Sequence, residues 1–428
     1  MTNLIVLIMF ALLLFGLSYL CKDILTPPVL LTVAWMLPFL WLVISEGVGQ
    51  GGFDIDILAI FYVVGVLVFC SGYFFVNRKA YTTVSGFKIS DKKQMTVYFK
   101  IFIIIELLIT IYFVYDVYKF IIANFQYNFW FTYKWNVSMG NYQDFFVIPY
   151  LRTASRVLVC VMFVQFLQEG HNKKDTKWFF LQLALTIVLN VLGKGRGGIF
   201  GFVIPLGIIF ILIRRKNNAD VIKYGLGLIG ILMIVFVVIS KLKSPYESAK
   251  SIPITKTIEN YLCGSVVAFC NWMKEGNHDY AFGQYTFRFF LALLNGLGLN
   301  VNVVSMAEPY VTNLNDNVGN VYTFYKWYAN DFGLIYALFW QFIVGVVHGY
   351  ITKKAFTLCT EKWLIWYAIT IYPLVMQFFM DEYITMLSSW IQIFFIIYIV
   401  FNTKLFYIPY ESKTIPKRIK RVHFSILR

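Results

Sequence analysis

Four groups of residues could do chemistry with an anion. Lys194 and Arg196 sit in the glycine-rich run Gly193-Lys-Gly-Arg-Gly-Gly198. Arg152 and Arg156 are four apart and would share one face of a helix. Arg288 closes the run Phe282-Gly-Gln-Tyr-Thr-Phe-Arg288, and Lys241 and Lys243 end an apolar stretch. Guanidinium groups take phosphate oxygens in pairs, and glycines let backbone amides approach a ligand closely. A helix that opens on such a turn adds the positive end of its dipole. The plainer reading is that Arg and Lys at helix ends reach out to lipid headgroups.

A hydroxyl nucleophile would need a base within reach. The candidates are Asp331, Glu308, His278 and Asp279, with Asp381 and Glu382 among the further acids of the same side. Tyr322, Lys326 and Tyr328 lie in the aromatic run Gly319-Asn-Val-Tyr-Thr-Phe-Tyr-Lys-Trp-Tyr-Ala-Asn-Asp-Phe-Gly333, whose rings could stack on sugars or simply form an interfacial belt. Glu106, inside an apolar run, is either functional or quietly paired with a neighbouring helix. His348 reads as a packed polar residue. No spacing of Cys, His or acids fits a metal site, so no metal or cofactor is expected. The six cysteines read as apolar packers; Cys263 and Cys270 would be two helical turns apart, too far for a disulfide.

The elements that must position these residues are membrane helices. Of 428 residues, 59% are hydrophobic and 14% charged, where a soluble domain carries about 25% charged. Apolar runs of about 20 residues match the ~30 Å of a bilayer core, and in lipid they must be helical. The expected spans are 3–21, 27–45, 56–76, 97–122, 146–168, 177–192, 198–213, 222–241, 331–352, 362–380 and 384–402. Lys and Arg collect in alternate loops: 77–96, 173–177, 214–216, 353–354 and the tail beyond 403. These loops read as cytoplasmic, with the N-terminus outside. The net charge of +15 is then topological, and no nucleic acid is expected. No cleavable signal peptide is expected at 3–21.

The organisation is therefore an all-α polytopic membrane protein of about eleven helices. Helices one to eight fill 1–241, a long outer segment fills 242–330, three further helices fill 331–402, and a basic tail covers 403–428. Within the outer segment, Tyr285–Val301 reads as an amphipathic or re-entrant stretch. No internal repeat is evident, which weighs against transporters built from two halves.

The chain resembles the O-antigen polymerase (Wzy) family of oligosaccharide repeat-unit polymerases. The resemblance runs through the glycine-rich turn, where Arg196, ten residues and Gly207 fit an Arg–ten residues–Gly pattern. It continues through Phe282–Arg288, and through the Asn320-Val-Tyr-Thr-Phe and Asp331-Phe-Gly run. From Arg288 to Gly298 the spacing is one residue shorter. The resemblance implies a GT-C-like membrane glycosyltransferase at the periplasmic face of the bacterial inner membrane. Such an enzyme moves a chain held on undecaprenyl pyrophosphate onto the next lipid-linked repeat unit. Arg196 and Arg288 would contact the pyrophosphate, Arg152, Arg156 and Lys194 would support them, and a chain-length regulator is an expected partner. A flippase for the same lipid-linked sugar, an O-antigen ligase and a membrane acyltransferase are the rival readings.

Overall fold

The computed structural model describes residues 2–47, 57–78, 93–125, 128–138, 140–168, 173–193, 197–242, 254–276, 278–305, 311–313, 317–319 and 321–409. The chain is predominantly helical. In order run α1 (Thr2–Cys21), α2 (Pro27–Gly47), α3 (Ile60–Val76), α4 (Val97–Ala123), α5 (Phe129–Ser138), α6 (Ile148–Leu167), α7 (Thr176–Val191) and α8 (Gly197–Arg214). There follow α9 (Asn218–Leu242), α10 (Ile254–Glu275), α11 (Arg288–Gly296), α12 (Tyr325–Phe332), α13 (Leu334–Leu358), α14 (Glu361–Val375) and α15 (Leu387–Asn402). Strands are three residues each: β1 (Lys93–Met95) pairs with β4 (Tyr407–Pro409), and β2 (Val311–Asn313) with β3 (Asn317–Gly319).

Helices occupy all eleven expected segments. Eight of them, α1, α2, α3, α4, α6, α8, α9 and α13, are long and apolar enough to cross a membrane. Apolar side chains cover their outer faces, such as Leu12 and Phe15 on α1 and Leu226 and Ile234 on α9, where water would penalise them and lipid would not. Helices α7, α14 and α15 are shorter.

The connections sort into two ends. At one end Arg215 pairs with Asp23 at 2.7 Å, fully buried. Lys93 pairs with Glu361 at 2.6 Å, and Gln165 and Gln168 donate to the same carboxylate. The β1–β4 ribbon and the Lys100–Asp175 pair lie in these loops too. At the other end Phe324 N donates to Gln377 O, Ser265 Oγ to Phe378 O, and Tyr133 OH to Leu192 O. Each of these links joins segments that lie at the same end of the bundle when successive apolar helices alternate in direction. The first end is the one rich in Lys and Arg.

Helices α3 and α13 meet through glycines. A Cβ on Gly72 would overlap the Phe342 carbonyl oxygen, one on Gly345 the Phe69 carbonyl oxygen, and one on Gly349 would sit 2.6 Å from Tyr73 O. Gly345 and Gly349 are four apart, the small-residue spacing that lets membrane helices bring their backbones together.

The described parts of the segment 242–330 include two helices that differ in burial. Its first helix, α10, is driven into the body: Cys263, Val266, Phe269 and Cys270 are buried. Tyr62 OH donates to Val266 O at 2.8 Å, and Cys263 Sγ to Pro38 O. The later helix α11 has no buried residue and exposes Phe290, Leu293 and Leu294. None of the six cysteines forms a disulfide.

Candidate functional site

Arg152 and Arg156 do share a face of α6, one turn apart, and the structure separates their roles. Arg152 is held on every side: Nη1 pairs with Asp144 at 2.6 Å, Nε donates to Leu189 O at 2.9 Å, and Nη2 to Leu192 O at 3.3 Å. It therefore ties α6 to the end of α7, just ahead of the glycine-rich turn. Arg156 has weaker tethers. Nε reaches Arg152 O at 3.3 Å and Nη2 reaches Thr153 Oγ1 at 3.4 Å. Nη1 makes no hydrogen bond among the described residues and points into a cleft.

That cleft lies between α6, α8, α14 and α15, and its lining includes Thr153, Arg156, Gly201, Tyr372, Glu382 and Trp390. Its volume is about 40 Å³, room for roughly three waters or the oxygens of one phosphate. The glycines of α8 make the approach possible. A Cβ on Gly201 would stand 2.8 Å from Arg156 Nη1, and one on Gly197 would stand 2.9 Å from Tyr372 OH and 3.3 Å from Glu382 Oε1. A Cβ on Gly198 would meet Asn190 Oδ1 at 3.1 Å. Gly197 and Gly201 are four apart, so the arginine and the carboxylate face one side of α8 about 6 Å apart along the helix.

Glu382 sits in the connection between α14 and α15. Its Oε1 accepts from Tyr372 OH at 2.8 Å. Burial pushes its carboxyl up to about 7; the Tyr372 hydroxyl and the Arg156 charge oppose that rise, and the neighbouring Asp381 adds to it. Asp381, also lifted by burial to about 6, accepts from Tyr383 N and Thr385 N, both at 3.0 Å, and so shapes the turn that presents Glu382. In the sequence Glu382 is only one of several outer acids. Its one signal was an acid in a very short turn between two apolar runs.

Several residues expected to act elsewhere are held by hydrogen bonds or ring contacts. Asp331 was expected as a base, but its carboxylate is fully buried and taken by three donors. Tyr285 N reaches Oδ1 at 3.1 Å, and Thr286 N and Thr286 Oγ1 reach Oδ2 at 2.7 and 2.6 Å. With Phe282 N donating to Asp331 O, the acid clasps the 282–286 turn onto α12. His278 stacks on Trp272 at 3.7 Å between ring centroids and meets Trp272 O at 2.7 Å; a carbonyl only accepts, so Nε2 carries the proton. Arg288 opens α11 and donates through Nε to Val304 O at 2.9 Å.

Tyr322, Lys326 and Tyr328 were expected to bind substrate and are instead inside the packing. Lys326 Nζ lies 4.3 Å from the centre of the Trp272 ring, 5.1 Å from that of Tyr322, and donates to Asn330 Oδ1. Tyr328 is covered by Phe324 and Trp340. Tyr325 plugs a notch at Gly65 beside Trp35, Phe61 and Phe269. The buried members of the aromatic run anchor α12, while Trp327 and Asn330 are half-exposed and Phe332 is exposed. Glu106 takes the quiet alternative: both its oxygens accept from Gln182 Nε2, at 3.1 and 3.0 Å. His348 is packed, its Nε2 2.8 Å from Tyr383 OH.

Lys194, Arg196, Glu308, Asn320 and Lys243 lie outside the described residues, as does the side chain of Lys241. The described neighbours of Lys194 and Arg196 are informative. Gly193, before them, stands against Asn190 and Arg152, and Gly197, after them, against Tyr372 and Glu382. Among the described residues no three His, Cys, Asp or Glu side chains come together as a metal site would need.

No protein-family model, curated protein or solved structure matches this chain.

Proposed function

We propose that the chain is a polymerase that joins undecaprenyl-pyrophosphate-linked oligosaccharide repeat units into an O-antigen or capsular polysaccharide. In this reading all eleven apolar helices cross the bacterial inner membrane in a GT-C-like arrangement. The Lys- and Arg-rich end is cytoplasmic, and the cleft opens toward the periplasmic face. The observation that supports it is the Arg156 guanidinium, which lines a cleft against the glycine-rich first turns of α8 together with Tyr372 and Glu382.

The chemistry suits such a place. As the bond from the anomeric carbon to the lipid diphosphate breaks, charge builds on phosphate oxygens. A cation and helix-end amides already in position stabilise that charge without reorganising, and removing one such donor costs about 10²–10³ in rate. The cleft is too small for a whole lipid diphosphate, so one phosphate's oxygens enter it and the sugars lie at its mouth. In this reading Arg152 holds the frame, Arg156 faces the charge, and Arg196, flanked by glycines in the sequence, is the further residue proposed to contact the diphosphate. The apolar faces between helices accommodate the polyprenyl chains.

The experiment is in vitro elongation of purified lipid-linked repeat units by the purified protein, read as a ladder on a gel. Arg156→Lys and Arg156→Ala, and the same two changes at Arg196, are expected to cut elongation about 10²-fold or more while the protein stays folded. A full ladder from well-folded Arg156→Ala would remove the residue from the mechanism. A substituted-cysteine map that put Gly193 and Glu382 on the same side as Lys93 and Glu361 would sink the reading altogether.

A further inference from the structure

Polymerisation leaves one proton to be placed: the acceptor hydroxyl must lose it as it attacks. With Asp331 committed to three donors and His278 packed on Trp272, the residue in a position to take it is on neither. The geometry points to Glu382 as the proton acceptor of this site, with Tyr372 as the residue that positions its carboxylate. The assignment rests on the polymerase reading.

Three observations carry it. First, among the described residues Glu382 is the one carboxylate lining the cleft that Arg156 faces. Second, its two oxygens are inequivalent. Oε1 is fixed by the Tyr372 hydroxyl at 2.8 Å, whereas Oε2 has no hydrogen bond among the described residues. A carboxylate held by one oxygen and open at the other is oriented for proton transfer, and Nη1 of Arg156 is open in the same way. Third, the peptide carbonyl of Glu382 accepts from Trp390 Nε1 at 3.0 Å, so the residue is anchored through its backbone and the side chain is left to act.

The step balances as follows. The acceptor hydroxyl oxygen forms a bond to the anomeric carbon of the growing chain. The bond from that carbon to the diphosphate oxygen breaks, and its electron pair leaves with the undecaprenyl diphosphate opposite Arg156. The hydroxyl proton passes to Oε2 of Glu382 and returns to solvent through the cleft before the next turnover. Arg156 and Glu382 stand against Gly201 and Gly197, which are one turn apart on α8, and they form no ion pair, so leaving group and nucleophile can be served at once.

The charged and titratable groups facing Glu382 from every packed element are few. Arg156 comes from α6, Tyr372 from α14, and Asp381 precedes it in the chain. The described parts of α8 and α15 that line the cleft offer Gly201, Met386, Ser389, Trp390 and Ile393, none of which carries charge. A carboxyl lifted to about 7 in such surroundings is half-ionised near neutral pH, where a general base works best. Only the ionised form accepts a proton, so elongation is expected to fall about tenfold per unit as pH drops below about 7 and to level off above it.

The test is single-turnover elongation by the purified full chain in lipid vesicles, between about pH 5.5 and about pH 8.5. The probe is undecaprenyl-diphosphate-linked repeat unit extracted from cells deleted for this chain. Glu382→Gln is expected to slow elongation about 10²–10⁴-fold and to flatten the acid limb. Tyr372→Phe removes a hydrogen bond that favours the ionised carboxylate, so it is expected to move the limb to higher pH with a smaller loss of rate. Glu382→Gln that is folded, fast and still pH-limited overturns the assignment and leaves the polymerase reading standing. If Glu382→Gln does not fold, Tyr372→Phe decides, and an unmoved limb overturns it. Wild-type protein that elongates nothing at any pH overturns the polymerase reading itself, and the assignment with it.

Discussion

Two sets of glycines bring helices together in this protein, and they are close for different reasons. Between α3 and α13, the space at Gly72, Gly345 and Gly349 is filled by the other helix's backbone: the carbonyl oxygens of Phe342, Phe69 and Tyr73. Along α8, the space at Gly197 and Gly201 is filled by the working ends of side chains: Tyr372 OH, Glu382 Oε1 and Arg156 Nη1. Backbone cannot step aside, and a guanidinium can. The first seam is therefore architecture, and the second is a surface cut to let polar groups reach a cleft. Sequence shows glycines in both places and does not distinguish them.

The largest expected effect is in the first seam. Gly345→Ala puts a methyl group on the Phe69 carbonyl oxygen, and the only relief is to push α13 off α3. Overpacking of this kind costs about 1–3 kcal/mol when side chains can adjust, and more than about 3 kcal/mol is expected where backbone is struck. The measurement is thermal melting and monodispersity in detergent. A Gly345→Ala protein as stable as wild type would show that α3 and α13 are not locked together as described.

A second effect separates architecture from chemistry at Asp331. If the carboxylate is the clasp, Asp331→Ala strands the Tyr285 and Thr286 amides and the Thr286 hydroxyl. One buried donor without a partner costs about 1–3 kcal/mol, and with partial relaxation a loss of about 2–4 kcal/mol is expected for the three together. Asp331→Asn should also destabilise, because its amide group would face donors with a donor. A base at this position would give the opposite pattern, with stability kept and elongation lost. Melting curves and elongation rates on the same two variants tell them apart.

Much of the frame could be read from the chain because it depends on local pattern. Apolar runs of the right length located eleven of the helices, though not α10, and alternating Lys and Arg sorted the loops into the same two groups that the structure joins by hydrogen bonds. What could not be read depends on partners distant in sequence. Helix α10 hid because Gly264, Ser265 and Asn271 interrupt its apolar character; its burial comes from Pro38, Tyr62 and Phe378, all far along the chain. The aromatic run at 319–333 carries residue types equally fit for a sugar and for a core, and the notch at Gly65 that takes Tyr325 decides for the core. Glu382 was one acid among many until α6 and α14 placed Arg156 and Tyr372 beside it.

The smallest expected change in stability is also the sharpest test of the comparison. Gly201 lies inside α8 with ordinary helical backbone, so Gly201→Ala gains about 1 kcal/mol of helix propensity. Against that gain, its Cβ intrudes at 2.8 Å on Arg156 Nη1, the far end of a flexible side chain that can move away. Arg156 is held only by bonds of 3.3 and 3.4 Å, so little is lost when it swings. The melting temperature is therefore expected to stay level or rise slightly. Elongation should fall about tenfold to a hundredfold, because an ångström of misplacement at a charge-stabilising group is costly to rate. The same substitution thus has opposite outcomes in the two seams: at Gly345 the protein fails before its chemistry can be measured, and at Gly201 the chemistry fails in a sound protein. Gly201→Ala with both stability and elongation unchanged would mean that the position of Arg156 does not matter to the reaction, and the cleft would lose its claim to be the site.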